Sequence, residues 1–390
     1  MTLKIEDILK PGRRDVGGVP EGVDVLLASE LASAGKTVLL VLRDDAGLSR
    51  RASIAAFFAP STDIVELPAW DCLPYDRVSP RRAIIGQRLA ALGQLTAPAP
   101  KGRVVLTTVS AILQKVPPRA YLQGAGRTLE KGTRVDPDDM IRELERFGFN
   151  RIETVTEPGE FAVRGGIVDV YPAGAGGPVR LDFFGDELDT LRAFDPATQR
   201  STGEISSALL APVSEAPLDD AAIARFRAQY HELFQSGGGD DPLYEAVSEG
   251  RRHPGHEHWL PLFHDGLESV FDYAPDAVVL FDHQADAAMQ SRRELIAEYY
   301  MARQTISDAD SGVPYRPVPP GRMFVEEDEF NAGLSKCSVA DLTPFQTGGT
   351  DYAGGASRDF ADVRVDPSAN VYEAVVQEIE KLTKADKRVL

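Results

Sequence analysis

The sequence predicts a multidomain α/β fold: a helix-covered parallel sheet, a small antiparallel-sheet domain inserted after it, and then a return to helical and α/β character that ends in a further α/β unit. Three observations carry this. Residues 37–42 and 103–108 are short, continuous apolar runs separated by amphipathic stretches, the pattern of strands buried on both faces of a parallel sheet. Between 167 and 194 the runs give way to apolar–polar alternation in three segments, 167–171, 179–184 and 188–194, the last two joined at Gly185-Asp186 by a hairpin turn. An apolar strand at 277–281 then enters a long helix at 282–303, which restores the first pattern.

Taken in order, 25–34 is helical and ends at Gly35, 37–42 is a strand, and 48–58 is again helical. A short strand at 63–67 runs into Pro68-Ala69-Trp70 and a proline-punctuated loop reaching Pro80. An amphipathic helix at 82–95, a strand at 103–108 and a short helix at 109–114 complete the first unit. Pro117-Pro118 marks the change of character, and a helix at 137–147 opens the inserted domain. Helical character returns near Leu218, with a helix at 221–235 followed by a glycine-rich loop at 236–241. The proline-rich stretch 313–322 reads as a linker, and beyond Cys337 a new α/β unit carries a polar loop at 346–357 and a helix at 371–382. Residues 387–390 read as the start of a strand cut short, so the chain is expected to be a piece of a longer protein. These changes place the domains at 1–117, 118–208, 209–325 and 326–390.

Composition narrows the function. Over 390 residues, 43% hydrophobic and 26% charged content suits a globular protein with a sizeable core. Lys and Arg number 42 against 60 Asp and Glu, and the resulting charge of -18 repels a polyanion, so duplex DNA binding is expected to be weak and salt-sensitive unless a local basic patch exists. Two cysteines, Cys72 and Cys337, lie far apart and in no metal-ligand spacing, which fits a reducing cytoplasm. The first residues alternate charge with single apolar residues, and no apolar run is long enough to span a membrane.

Several motifs invite chemistry. Gly35-Lys36-Thr37 ends like a phosphate-binding loop, but position 30 is Glu and a helix precedes where a strand should, so Gly35 reads as the cap of that helix. Gly17-Gly18-Val19-Pro20-Glu21-Gly22 stands better, ahead of a helix, yet it lacks the Lys and hydroxyl that neutralise phosphate and hold magnesium; Gly18 and Gly22 therefore mark a degenerate loop. Asp282, at the end of an apolar strand, resembles the acid that holds magnesium in helicase-type ATPases, but no Glu follows it, and it reads as a helix N-cap. His253, His256, Glu257 and His258 crowd together, although Pro254-Gly255 points to a flexible loop and no fourth ligand stands at a metal-binding distance, so no metal is expected. In 179–184 alternation sends Val179, Leu181 and Phe183 to the core and Arg180, Asp182 and Phe184 to the other face. Whether Phe184 is buried there or forms an exposed binding anchor is open on alternation alone.

Three stretches carry a family resemblance. Leu67-Pro68-Ala69-Trp70-Asp71-Cys72-Leu73-Pro74-Tyr75-Asp76, the run from Glu157 to Pro172, and Arg180-Leu181-Asp182-Phe183-Phe184-Gly185-Asp186-Glu187 resemble the amino-terminal part of the bacterial transcription-repair coupling factors (the Mfd family), whose early domains are shared with the excision nuclease subunit UvrB. The likeness runs from about residue 15 to 330. It implies a degenerate, UvrB-like nucleotide-binding fold split by an inserted UvrA-binding domain. The stretch from Trp70 to Pro80 is too short for the DNA-probing hairpin of UvrB, a loss that the coupling factors share. The family's UvrA-contacting residues, two arginines and a phenylalanine, fall on Arg164, Arg180 and Phe184, which moves Phe184 to the exposed reading. The resemblance further implies that this chain is a catalytically silent, monomeric, cytoplasmic module that recruits UvrA. ATP with magnesium, RNA polymerase and DNA would be engaged by domains absent from it. An active UvrB-like ATPase or helicase core is the competing reading. Alternation also implies that Arg180→Ala and Phe184→Ala leave the fold intact.

Overall fold

The computed structural model describes residues 5–99, 101–123, 126–172, 176–235, 241–305, 315–347, 351–352, 358–366 and 368–385. Six parallel strands form the larger sheet, in the order β1 (Gly12–Val16), β14 (Ser338–Leu342), β13 (Val278–Phe281), β2 (Thr37–Leu42), β4 (Arg103–Thr108) and β3 (Ile64–Leu67). Along the central strands successive side chains enter opposite cores. Leu39, Val41, Val105, Val279 and Phe281 join one cluster, while Val38, Leu40, Val104, Leu106 and Leu280 join the other. Helices cover both faces, which is why these strands read as unbroken apolar runs.

Two strands of this sheet escape the sequence reading. β1 is the edge strand Gly-Arg-Arg-Asp-Val, whose charged residues hide its pairing with β14. β14 was assigned above to a new unit starting at 326, but it lies between β1 and β13, so the boundary at 326 falls inside the sheet. Its five residues are too short a signal to reveal a partner some 60 residues earlier in the chain. The helix Val371–Lys384 packs no buried residue. The expected strand at 387–390 and most of the glycine-rich loop at 236–241 lie outside the described residues.

The inserted domain forms a second sheet, ordered β11 (Ser201–Glu204), β10 (Glu187–Phe194), β9 (Val179–Phe184), β8 (Ile167–Val170), β7 (Glu160–Arg164) and β6 (Asn150–Arg151). A separate pair joins β5 (Arg127–Glu130) to β12 (Ser207–Leu210) and closes the insertion on itself. The helix Pro137–Arg146, capped by the Asp136 carboxylate, lays Met140 and Leu144 on the same core as Leu181 and Phe183.

Return of the chain to the first unit builds an aromatic core around Trp70, Tyr75, Phe226, Tyr230, Trp259 and Phe263. The histidine-rich segment, expected to be a flexible loop, is instead a short 3-10 helix, His256–Leu262, with His256, Glu257 and His258 buried. Gly255 starts it in the left-handed region (φ 76°) with its Cα against the Arg77 backbone, where a Cβ would lie 2.9 Å away. His256 Nδ1 bonds the His253 carbonyl at 2.9 Å and lies 3.4 Å from the Glu257 carboxylate, Glu257 accepts from the Ser79 hydroxyl at 2.6 Å, and His258 packs edge-on to Trp70. No three His, Cys, Asp or Glu among the described residues are grouped to hold a metal.

Burial pushes His258 down to about 4 from its usual 6.5. Between those values the unfolded chain binds a proton that the native chain refuses, so acid favours unfolding there. We expect stability to fall by on the order of 3 kcal/mol as pH drops from about 6.5 to 4 on account of this residue. Denaturant titrations of wild type and His258→Gln at the two ends of that range check it; the variant should lose the part of the slope that His258 supplies, while the buried His256 and His264, also pushed below their usual value, keep the remainder.

Candidate protein-interaction site

Strands β7, β8 and β9 build the outer face of the inserted sheet. Their register pairs Arg164 with Ile167, and Ile167 with Asp182, and directly opposed residues share a face. Phe184 lies two residues beyond Asp182 and therefore on that face, next to the Gly165-Gly166 turn. That turn is tight: the Phe183 amide donates to the Gly166 carbonyl at 2.8 Å, and a Cβ on Gly166 would stand 3.0 Å from the Phe183 carbonyl oxygen. Phe184 is 85% exposed while its neighbour Phe183 is buried, as alternation requires. Leaving a phenylalanine in water forgoes roughly 1.5–3 kcal/mol of burial, a cost that folding alone gives no reason to bear.

The two arginines behave differently from each other. Arg164 is exposed at the end of β7 and is steadied by the Glu153 carbonyl (2.6 Å) and the Thr154 hydroxyl (3.3 Å). Arg180 is not free. Its Nε and Nη2 bond both oxygens of the buried Asp169 at 2.7 and 2.9 Å, and its guanidinium lies 4.9 Å from the centre of the Phe194 ring. The expectation that Arg180→Ala leaves the fold intact is therefore corrected. Truncation strips a carboxylate that is 2% exposed of its counter-charge, and we expect about 2–3 kcal/mol of destabilisation, visible in urea melts, with Arg180→Lys recovering only part because it lacks the bidentate fork.

The glycine-rich loop expected to be a degenerate phosphate loop lies between β1 and the helix Val23–Ser33, and the chain itself fills it. Gly18 and Val19, whose amides would face phosphate, donate instead to the carbonyls of Phe345 and Thr343, each at 2.9 Å. Gly17 is pressed so closely that a Cβ would meet the Phe345 carbonyl oxygen at 2.7 Å. The Gly22 amide is taken by the Asp24 carboxylate at 2.9 Å. Asp282 does not cap a helix, because the helix begins only at Ala285. Its carboxylate, raised above its usual range chiefly by burial, stands 3.6 Å from Arg51. Arg51 also meets Asp24 at 2.8 Å and Glu21 at 3.1 Å. The structure thus brings Gly22 and Asp282 together around a buried arginine that sequence reasoning missed. Its position in a helix of low amphipathicity offers no signal, and only the tertiary fold sets its charge among three carboxylates.

Residues 128–215 match the family model of the UvrB interaction domain, which covers the whole alternating sheet including Arg164, Arg180 and Phe184. Similarity extends well beyond that domain: the chain is 36% identical over 321 residues, 82% of its length, to the transcription-repair-coupling factor of Haemophilus influenzae. The chain belongs to the transcription-repair-coupling factor family. It is 34% identical over 83% of its length to the Escherichia coli factor, and 30% identical over 94% to that of Mycobacterium bovis. It spans 27–30% of the length of these curated relatives. The parallel sheet interrupted by the UvrB interaction domain is the architecture expected from the resemblance.

Proposed function

We propose that this chain is the UvrA-recruiting platform of a transcription-repair coupling factor and performs no ATP chemistry of its own. The observation that carries the reading is Phe184, exposed on a rigid sheet face beside Arg164 within the UvrB interaction domain. Phe184 supplies apolar area to a pocket on UvrA, and Arg164 pairs with a carboxylate there. Arg180 supports the face through Asp169 and offers UvrA only the outer edge of its guanidinium. RNA polymerase binding, DNA translocation and the ATP and magnesium that drive it belong to the remainder of the full-length protein. The module acts as a cytoplasmic monomer; among the described residues no helix is long and apolar enough to cross a membrane. Calorimetry of the chain against purified UvrA tests recruitment, and no heat of binding at tens of micromolar, a range typical of weak complexes, would end the proposal.

Catalytic silence rests on the filled loop. The amides of Gly18, Val19 and Gly22 are already bonded within the protein, and Arg51 holds the acid that magnesium would need. We therefore expect neither ATP turnover nor micromolar ATP binding with magnesium present. Turnover that survives Lys36→Ala and disappears in Asp282→Asn would reinstate the ATPase reading.

A further inference from the structure

A cleft of about 710 Å³ opens where the Glu157-Pro158 and Val213-Ser214 segments of the inserted domain meet the loop 77–82 and the segment 252–257. Four arginines line it, Arg77, Arg81, Arg82 and Arg252, against two carboxylates, Glu157 and Glu257. In a chain of charge -18 such a local excess of guanidinium is against the trend. Glu257 is already engaged by the Ser79 hydroxyl at 2.6 Å, and Arg81 by Asp71 outside the cleft. Among the described residues no carboxylate is paired with Arg82 or Arg252, and Arg252 donates to the Gly148 carbonyl. Burial first, and then the charge of Arg82, pull the Arg252 guanidinium below its usual range, so two like charges face each other in poorly solvated surroundings.

The cleft lies at the start of the 15-residue helix Arg82–Thr96, where the Arg81 amide is already taken by the Asp71 carboxylate at 2.9 Å, so the guanidiniums are the donors that the cleft offers. Guanidinium forks recognise phosphate oxygens, and the volume suits a ligand up to nucleotide size.

We propose that this cleft binds a phosphoryl anion, held between Arg82 and Arg252. The anion comes either from a free phosphate compound or from the backbone of a nucleic-acid single strand. Calorimetry of the whole chain with pyrophosphate, decathymidylate and citrate separates these. Pyrophosphate should bind, weaken as salt rises, and lose about tenfold or more in affinity in Arg82→Gln. Decathymidylate that binds and is displaced by pyrophosphate assigns the site to strand backbone; pyrophosphate binding alone assigns it to a free phosphate compound. Should Arg82→Gln melt early, Arg82→Lys, which keeps the charge but not the fork, replaces it with an expected loss of about threefold. Absence of pyrophosphate binding, equal binding of citrate, or affinity unchanged in the folded variants overturns the proposal.

Discussion

Glu215→Ala is expected to lower stability by about 3–5 kcal/mol, because it strips a buried guanidinium of its counter-charge. Glu215 is the last residue of the matched UvrB interaction domain, and its carboxylate is fully buried against the equally buried Arg88, Nε to Oε1 2.6 Å. The second oxygen accepts from the Trp70 indole at 3.1 Å, and Arg88 also donates to the Pro68 carbonyl at 2.7 Å. The pair thus ties the exit of the inserted domain to the loop 68–76 and to helix Arg82–Thr96. Removing one partner strands a guanidinium without solvent or counter-charge. Removing both with apolar residues of similar volume should cost much less, because the desolvation penalty disappears along with the attraction. Urea unfolding of Glu215→Ala and of Arg88→Met combined with Glu215→Leu checks this. A single variant within about 1 kcal/mol of wild type would mean that the pair is hydrated in solution.

Phe184→Ala should leave stability unchanged and reduce UvrA affinity by roughly thirtyfold, the equivalent of about 2 kcal/mol for an aromatic anchor. The ring is 85% exposed, so its loss opens no cavity. Leu181, three residues earlier and fully buried, is the control: Leu181→Ala should cost about 2–5 kcal/mol through a core cavity and affect UvrA only by unfolding the domain. Thermal melts and UvrA affinities are measured on both. If Phe184→Ala melts as early as Leu181→Ala, the ring is part of a core and the binding face lies elsewhere. If it melts normally but binds UvrA as wild type does, recruitment uses another surface.

Periodicity and turn chemistry were sufficient for the elements whose burial is one-dimensional. The runs at 37–42 and 103–108 are strands at those very residues, and alternation in 179–184 places Leu181 and Phe184 on opposite faces, because a strand has only two; that the second face leaves Phe184 exposed was not legible from alternation. Family resemblance, carried by specific residues, added the nature of the inserted domain. What stayed hidden depends on pairings between distant segments. Edge strand β1 and the late strand β14 become strands by hydrogen-bonding to each other across more than 300 residues, and neither has the apolar pattern that would announce it. The role of Asp282 turned on Arg51, and that of Arg180 on Asp169, since a side chain's charge is legible locally but its counter-charge is not. Histidines in a Pro-Gly context look like a mobile loop until Trp70 and Ser79 arrive from elsewhere to bury and bond them. Sequence alone therefore settled which residues share a strand face; only the tertiary structure decided which polar groups are satisfied within the protein and that the Phe184 ring is left facing outward.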